Sequence, residues 1–148
     1  MNRVEGKGAL ITGGGAGIGA ATGELVCAEG GMAVLVDANA DALAVTMQAI
    51  AQRVAGARVS TFAADVTDAR AAARAVEHAL ETFGRIDILV NNAAMRNYSA
   101  IADSTPAEWQ AMVGVNLIGT ANYCKAALHR RCAAAVAPVS STSRRAMR

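Results

Sequence analysis

Thr12, Gly13, Gly17, Ile18 and Gly19 lie in one short stretch, GALITGGGAGIG, that begins at Gly8. Polar residues follow at intervals: Asp37, Asp65, Asn91-Asn92 and Asn116. The glycines suit the binding of a diphosphate. An apolar run that turns tightly into a helix leaves backbone N–H groups and the positive end of a helix dipole at the turn, and that end attracts phosphate. A β-carbon there would hold the backbone away from the ligand, and some turn positions require φ > 0. Asp37 stands 20 residues after Gly17. A carboxylate there can accept hydrogen bonds from both hydroxyls of a ribose, or it can cap the next helix. Asp65 reads either as a ligand contact or as a cap or turn residue. Asn91 can equally tie its strand to a neighbour. Asn116 sits in mid-helix, where its propensity is poor, so it calls for a partner, water or backbone. No spacing of His, Cys, Asp or Glu suggests a metal.

The elements that must carry these residues alternate between the two periodicities. Strands are predicted at residues 8–12, 32–36 and 58–63 and within 86–90. The second is MAVLV, as apolar as a strand covered on both faces should be. Helices are predicted over 18–29, 39–55, from Thr67 or Asp68 to 83, and from Ser104 or Thr105 to 128. Their inward residues read as Ile18, Ala21, Leu25 and Ala28 in the first, and Leu43, Met47, Ile50 and Val54 in the second. The third offers Ala72, Val76, Ala79, Leu80 and Phe83; the fourth offers Trp109, Met112, Val113, Leu117 and Ala121. Pro106 suits the first turn of the fourth helix, with Glu108 placed for a capping box. Residues 95–105 form a polar loop. Alternating strands and helices imply parallel strands joined by right-handed crossovers. Thr12, Asp37, Asp65 and Asn91 then share the C-terminal edge of the sheet, where open α/β folds bind ligands.

Composition sets the outer bounds. The chain has 148 residues, 53% hydrophobic and 18% charged, which suits one globular domain. Only 3% is aromatic, so the core must be aliphatic. Residues 1–128 carry nine Lys and Arg against twelve Asp and Glu, a net −3, whereas residues 129–148 carry five Arg and no acid. The basic tail lacks interleaved aromatics and a helical stripe, which argues against nucleic acid and membrane surfaces as partners. Cys27, Cys124 and Cys132 are odd in number and widely spaced. They predict a reduced, cytoplasmic chain rather than a disulfide framework, with Cys27 and Cys124 as buried small hydrophobes. Neither a signal peptide nor a membrane-spanning run is expected.

Taken together, the motifs resemble the short-chain dehydrogenase/reductase family over roughly residues 4–128. Thr12-Gly13, three residues, then Gly17-Ile18-Gly19 match that family's TGxxxGxG loop. Asp65-Val66 stands at its adenine contact. Asn91-Asn92-Ala93-Ala94 matches its NNAG, with Ala94 in place of Gly. Asn116 matches the helix asparagine of its catalytic group. The resemblance implies a Rossmann-like, doubly wound parallel α/β sheet of about four strands in the order 3-2-1-4, truncated before a fifth. It implies cofactor contacts from Thr12, Gly13, Gly17, Ile18, Gly19, Asp37, Asp65, Val66, Asn92, Ala93 and Ala94. Asp37, with no Arg or Lys at Ala16 or Ala38, favours NAD over NADP, because a carboxylate repels a 2′-phosphate. The implied reaction is hydride transfer between nicotinamide and an alcohol or ketone of a small-molecule substrate. A Tyr acts there as acid or base, its pKa lowered by a Lys in YxxxK. A Ser orients the substrate, and Asn116 holds a water in the proton path.

The resemblance then stops. The sequence contains no YxxxK, since Tyr98 is followed four residues later by Ala102 and Tyr123 by Ala127. No apolar fifth strand precedes Ser140-Ser141. Residues 129–148 read as an irregular basic tail with neither strand nor helix logic, and as the product of a shifted reading frame. With suitable GC-rich codons, the neighbouring frame over 137–148 can spell an apolar strand ending in two serines. The expected domain is therefore a partial NAD-binding unit over residues 1–128, catalytically incomplete and marginally stable, whose exposed fourth strand argues against the family's homo-oligomer. A non-catalytic NAD-binding module and a decayed product without function are the competing expectations.

Overall fold

The computed structural model describes residues 3–135, with side chains as far as residue 130. Four strands, β1 (Gly8–Thr12), β2 (Met32–Asp37), β3 (Arg58–Ala63) and β4 (Ile88–Val90), form one parallel sheet in the order β3-β2-β1-β4. The register pairs Gly8 with Met32, Ala9 with Ile88 and Met32 with Arg58. Helices α1 (Gly17–Ala28), α2 (Ala40–Arg53) and α3 (Ala69–Phe83) make the crossovers. After β4 come α4 (Pro106–Val113), a π-helical segment (Gly114–Gly119) and α5 (Thr120–Ala135).

The unbroken apolar runs of β1 and β2 sort by parity onto the two faces of the sheet, because successive side chains point to opposite sides. Leu10, Val34 and Val36 pack with Ala72, Ala75, Val76 and Ala79 of α3 and Tyr123 of α5. Ala9, Ile11, Ala33 and Leu35 pack with Val26 and Cys27 of α1 and Leu43 and Ile50 of α2. The central strands are thus covered on both faces, as parallel strands require. Asn39 caps α2 by accepting the Ala42 N–H at 3.0 Å, and Asp68 caps α3 by accepting from Arg70 and Ala71. Thr105 and Glu108 form the expected capping box on α4.

Three expectations need correction. The inward face of α1 is Gly19, Gly23, Val26 and Cys27, while Ile18 is 78% exposed and Leu25 is also exposed. Close approach selects smallness here: a β-carbon on Gly23 would lie 2.6 Å from Leu35 Cδ2. The helix after residue 105 is interrupted by the π-helical segment. Its wider turn shifts the phase, so Trp109, Val113 and Leu117 are exposed, whereas Gly119 and Tyr123 are buried. Finally, the last helix, expected to end near 128, continues as α5 to Ala135. The readings made for residues 136–148, including Ser140-Ser141, lie outside the described residues.

Candidate functional site

The C-terminal edge of the sheet carries a cavity of about 290 Å³. Of the anticipated contacts it brings together Gly13, Asp37, Asp65, Val66, Ala93 and Ala94, and Ala38, Ala64, Met95 and Val115 complete its wall. These residues are far apart in sequence. They meet because β1, β2, β3 and β4 all end at this edge.

The glycine loop is held to both neighbours. Thr12 is buried; its hydroxyl donates to the Val90 carbonyl at 3.4 Å and accepts the N–H groups of Asn92 and Ala93 at 3.1 Å each. The Asn92 amide donates to the carbonyls of Thr12 and Gly13 at 3.0 and 3.2 Å. Thr12 and Asn92 therefore fix where the loop leaves β1 relative to the end of β4. Gly13 and Gly17 have φ of 66° and 54°, the left-handed region in which glycine is the residue of choice. Gly19 has no room for a side chain, since a β-carbon would collide with the Gly13 carbonyl and the Asn92 amide. Around Gly17 the space is open, with no atom beyond its chain neighbours and its own helix backbone within 4 Å of where a β-carbon would stand. No side chain caps α1, and its first turn holds no acidic residue. Its first N–H groups thus have no side-chain acceptor.

Asp37 is half-buried at the end of β2, its Oδ2 accepting the Gly15 N–H and its Oδ1 the Asn39 N–H, both at 3.0 Å. Asp65 is exposed, and its Oδ1 accepts from both the N–H and the hydroxyl of Thr67 at 2.8 Å. Both aspartates therefore serve the local turns, and each also faces the cavity. Val66 is buried beneath it, against Gly119.

Asn116 finds its partner in backbone. Its Oδ1 accepts the Met95 N–H at 2.8 Å and its Nδ2 donates to the Met95 carbonyl at 3.0 Å. The amide thus pairs with Met95 as a neighbouring strand would, and fixes the start of the 95–105 loop. Asn91 donates to Cys124 Sγ at 3.3 Å, tying β4 to α5.

Neither described tyrosine is placed for proton transfer. Tyr123 is fully buried with no hydrogen-bond partner for its hydroxyl. Burial, with the negative charges of Asp65 and Asp68, pushes its pKa up to about 12, opposite to the shift a catalytic phenol needs. Tyr98 projects into solvent from the 95–105 loop, with the Arg96 guanidinium 4.9 Å from its ring centroid.

Sequence reasoning passed over two groups that shape the site. Thr46 of α2 donates to the Gly15 carbonyl at 2.7 Å. Asn122 of α5 donates to the carbonyls of Val66 and Thr67 at 3.1 and 3.2 Å. Neither belongs to a motif, and each acts only once helix and loop have met. Among the described residues no helix is long and apolar enough to cross a membrane, and no group of three or more His, Cys, Asp or Glu could hold a metal ion.

A parallel sheet with this strand order, a glycine turn into α1 and an acidic residue ending β2 define a Rossmann-like α/β unit, a class that commonly binds dinucleotides. The family described as short chain dehydrogenase matches residues 7–145. The short-chain reductase protein NovJ of Streptomyces niveus is 42% identical over 112 residues, covering 76% of this chain and 42% of that protein. D-threitol dehydrogenase of Mycolicibacterium smegmatis is 36% identical over 126 residues, covering 84% and 47%. A solved short-chain dehydrogenase/reductase from Burkholderia phymatum, in complex with NAD, superposes with a TM-score of 0.78 at 34% identity, covering 85% and 44%. The chain belongs to the short-chain dehydrogenase/reductase family. It spans about half the length of the curated relatives it matches.

Proposed function

We propose that this chain is the cofactor-binding portion of an NAD-dependent oxidoreductase that interconverts an alcohol and a ketone. The observation that carries the reading is the cavity at the sheet edge, where Gly13, Asp37, Asp65 and Ala93 converge beside an uncapped helix start. The residues fit the dinucleotide. The open space at Gly17 and the free first turn of α1 would receive its diphosphate. Asp37 would accept from the adenosine ribose, and Asp65 with Val66 would border the adenine. When bound, NAD supplies the hydride acceptor.

The preference for NAD rests on charge. Asp37 faces the cavity, with Ala16 and Ala38 where a cation would be needed to neutralise a 2′-phosphate. The described residues hold the cofactor and order the loop at Met95; the described tyrosines do not supply an acid. A positioned general acid contributes about 10²–10⁴-fold in rate. The chain as given is therefore expected to bind NADH without appreciable turnover.

Titration of NADH by fluorescence, with a panel of secondary alcohols assayed in parallel, tests both halves. Saturable binding without turnover is the expected result. Asp37→Asn should weaken NADH by about 10–100-fold, the usual effect of losing hydrogen bonds to a charged group, while NADPH loses less. A folded chain that ignores NADH would overturn the cofactor reading, and turnover at rates typical of enzymes (~1–10³ s⁻¹) would overturn the account of the acid.

A further inference from the structure

The Gly15 peptide is gripped from both sides. Its N–H donates to Asp37 Oδ2 at 3.0 Å, and its carbonyl accepts the Thr46 hydroxyl at 2.7 Å. Asp37 Oδ1 in turn accepts the Asn39 N–H at 3.0 Å, and the Asn39 side chain caps α2 through Ala42 N–H at 3.0 Å. Thr46 lies on that same helix. The bonds therefore close a circuit: glycine loop, end of β2, cap of α2, second turn of α2, and back to the loop. Gly15 is buried, and a β-carbon on it would stand 2.9 Å from Asp37 Oδ2 and 3.1 Å from Ala42 Cβ.

We propose that Thr46 is a positioning residue for cofactor binding: through the Gly15 carbonyl it sets the glycine loop in its phosphate-receiving conformation. The inference rests on the reading of this loop as a diphosphate cradle. Two features favour a role in binding over a purely structural one. Thr46 is only half-buried, so its hydroxyl could have been satisfied by water. The group it holds is the middle of the loop, two residues before the open position at Gly17. The circuit also makes Asp37 serve two ends of one ligand. The carboxylate that faces the ribose also accepts the Gly15 N–H, whereas the Thr46 hydroxyl bonds only the loop carbonyl.

The test separates phosphate recognition from fold. Binding of ADP and of adenosine, which lacks the diphosphate, is measured by calorimetry on the whole chain and on Thr46→Val and Thr46→Ser. Valine keeps the shape and leaves the buried Gly15 carbonyl without its donor. ADP should weaken about tenfold, on the order of one buried hydrogen bond, while adenosine changes less than twofold. Serine restores the hydroxyl and should restore ADP binding. Equal weakening of both ligands by valine, no weakening of either, or failure of serine to rescue would each overturn the inference. If valine prevents folding, Thr46→Ala is measured in its place, and ADP must weaken about tenfold with adenosine within twofold. A parent chain that folds yet binds neither ligand would instead sink the cofactor reading, and is distinguishable because no variant is involved.

Discussion

The two walls of the cavity are built on opposite plans. On the glycine-loop side, main-chain groups do the work. Thr12, Asn92, Asp37 and Thr46 each hold a backbone N–H or carbonyl of residues 12–15 or of the end of β4, at distances between 2.7 and 3.4 Å. On the 95–105 side, Asn116 holds Met95 and a capping box starts α4, while Tyr98, Ile101 and Trp109 are exposed. A ligand common to many enzymes can be read by backbone, which sequence change barely moves. A ligand peculiar to one enzyme must be read by side chains on a loop free to vary. On the proposed reading, the first wall would take the cofactor and the second would be left to a substrate.

The comparison breaks most visibly if the first wall tolerates added volume. Gly19→Ala places a methyl against the Gly13 carbonyl and within 2.7 Å of the Asn92 amide nitrogen. Overpacking against backbone in a buried helix start should cost about 3 kcal/mol of stability and abolish NADH binding in whatever remains folded. Asn116→Ala, on the second wall, should leave NADH affinity within twofold. Urea unfolding with fluorescence titration reads both. Equal effects on NADH binding would erase the distinction between the walls.

Legibility follows the same line. The glycine spacing, Asp37 and Asn91-Asn92 stand out because backbone demands leave few residue choices, and the parallel sheet followed from strictly alternating elements, while its strand order came from the family resemblance. The α1 face was misread because Gly19 and Gly23 are buried for their smallness, and hydrophobic periodicity ignores glycine. The helix after Thr105 was misread because the π-helical segment moves Trp109 and Leu117 out of phase with Tyr123. Thr46 and Asn122 could not be found at all, since their partners are carbonyls 31 and 55 or 56 residues away.

Between the walls lies Tyr123, beneath the site with an unpartnered hydroxyl. An unsatisfied buried polar group costs about 1–3 kcal/mol. Tyr123→Phe removes the oxygen and keeps the ring among Leu10, Val66 and Val76. Stability should rise by about 1 kcal/mol, with NADH affinity unchanged because the hydroxyl makes no hydrogen bond to a cavity residue. Loss of binding in the phenylalanine variant would show that the phenol reaches the site, and the division into two walls would need a third member.

The smallest effect is a titration. Asp68 begins α3, the helix that follows the Asp65 turn, and the Ala71 and Arg70 N–H groups hold its carboxyl below the ordinary carboxylate range. A carboxyl whose folded pKa is depressed contributes stability that is present in full above its unfolded pKa, near ~3.9, and is lost as pH falls through the folded value. The start of α3 should therefore loosen as pH drops below about 4. Asn keeps the cap without the charge, so Asp68→Asn should flatten the Asp68 part of this dependence while leaving stability at pH 7 nearly intact. Glu108, held low first by the Thr105 N–H, should titrate in the same direction at the start of α4. Amide exchange near α3 and α4, followed from pH 6 to pH 3, distinguishes the two caps: the variant should protect the start of α3 in acid and do nothing for α4. Protection of both would mean that the walls fold as one unit, whatever their separate hydrogen bonds suggest.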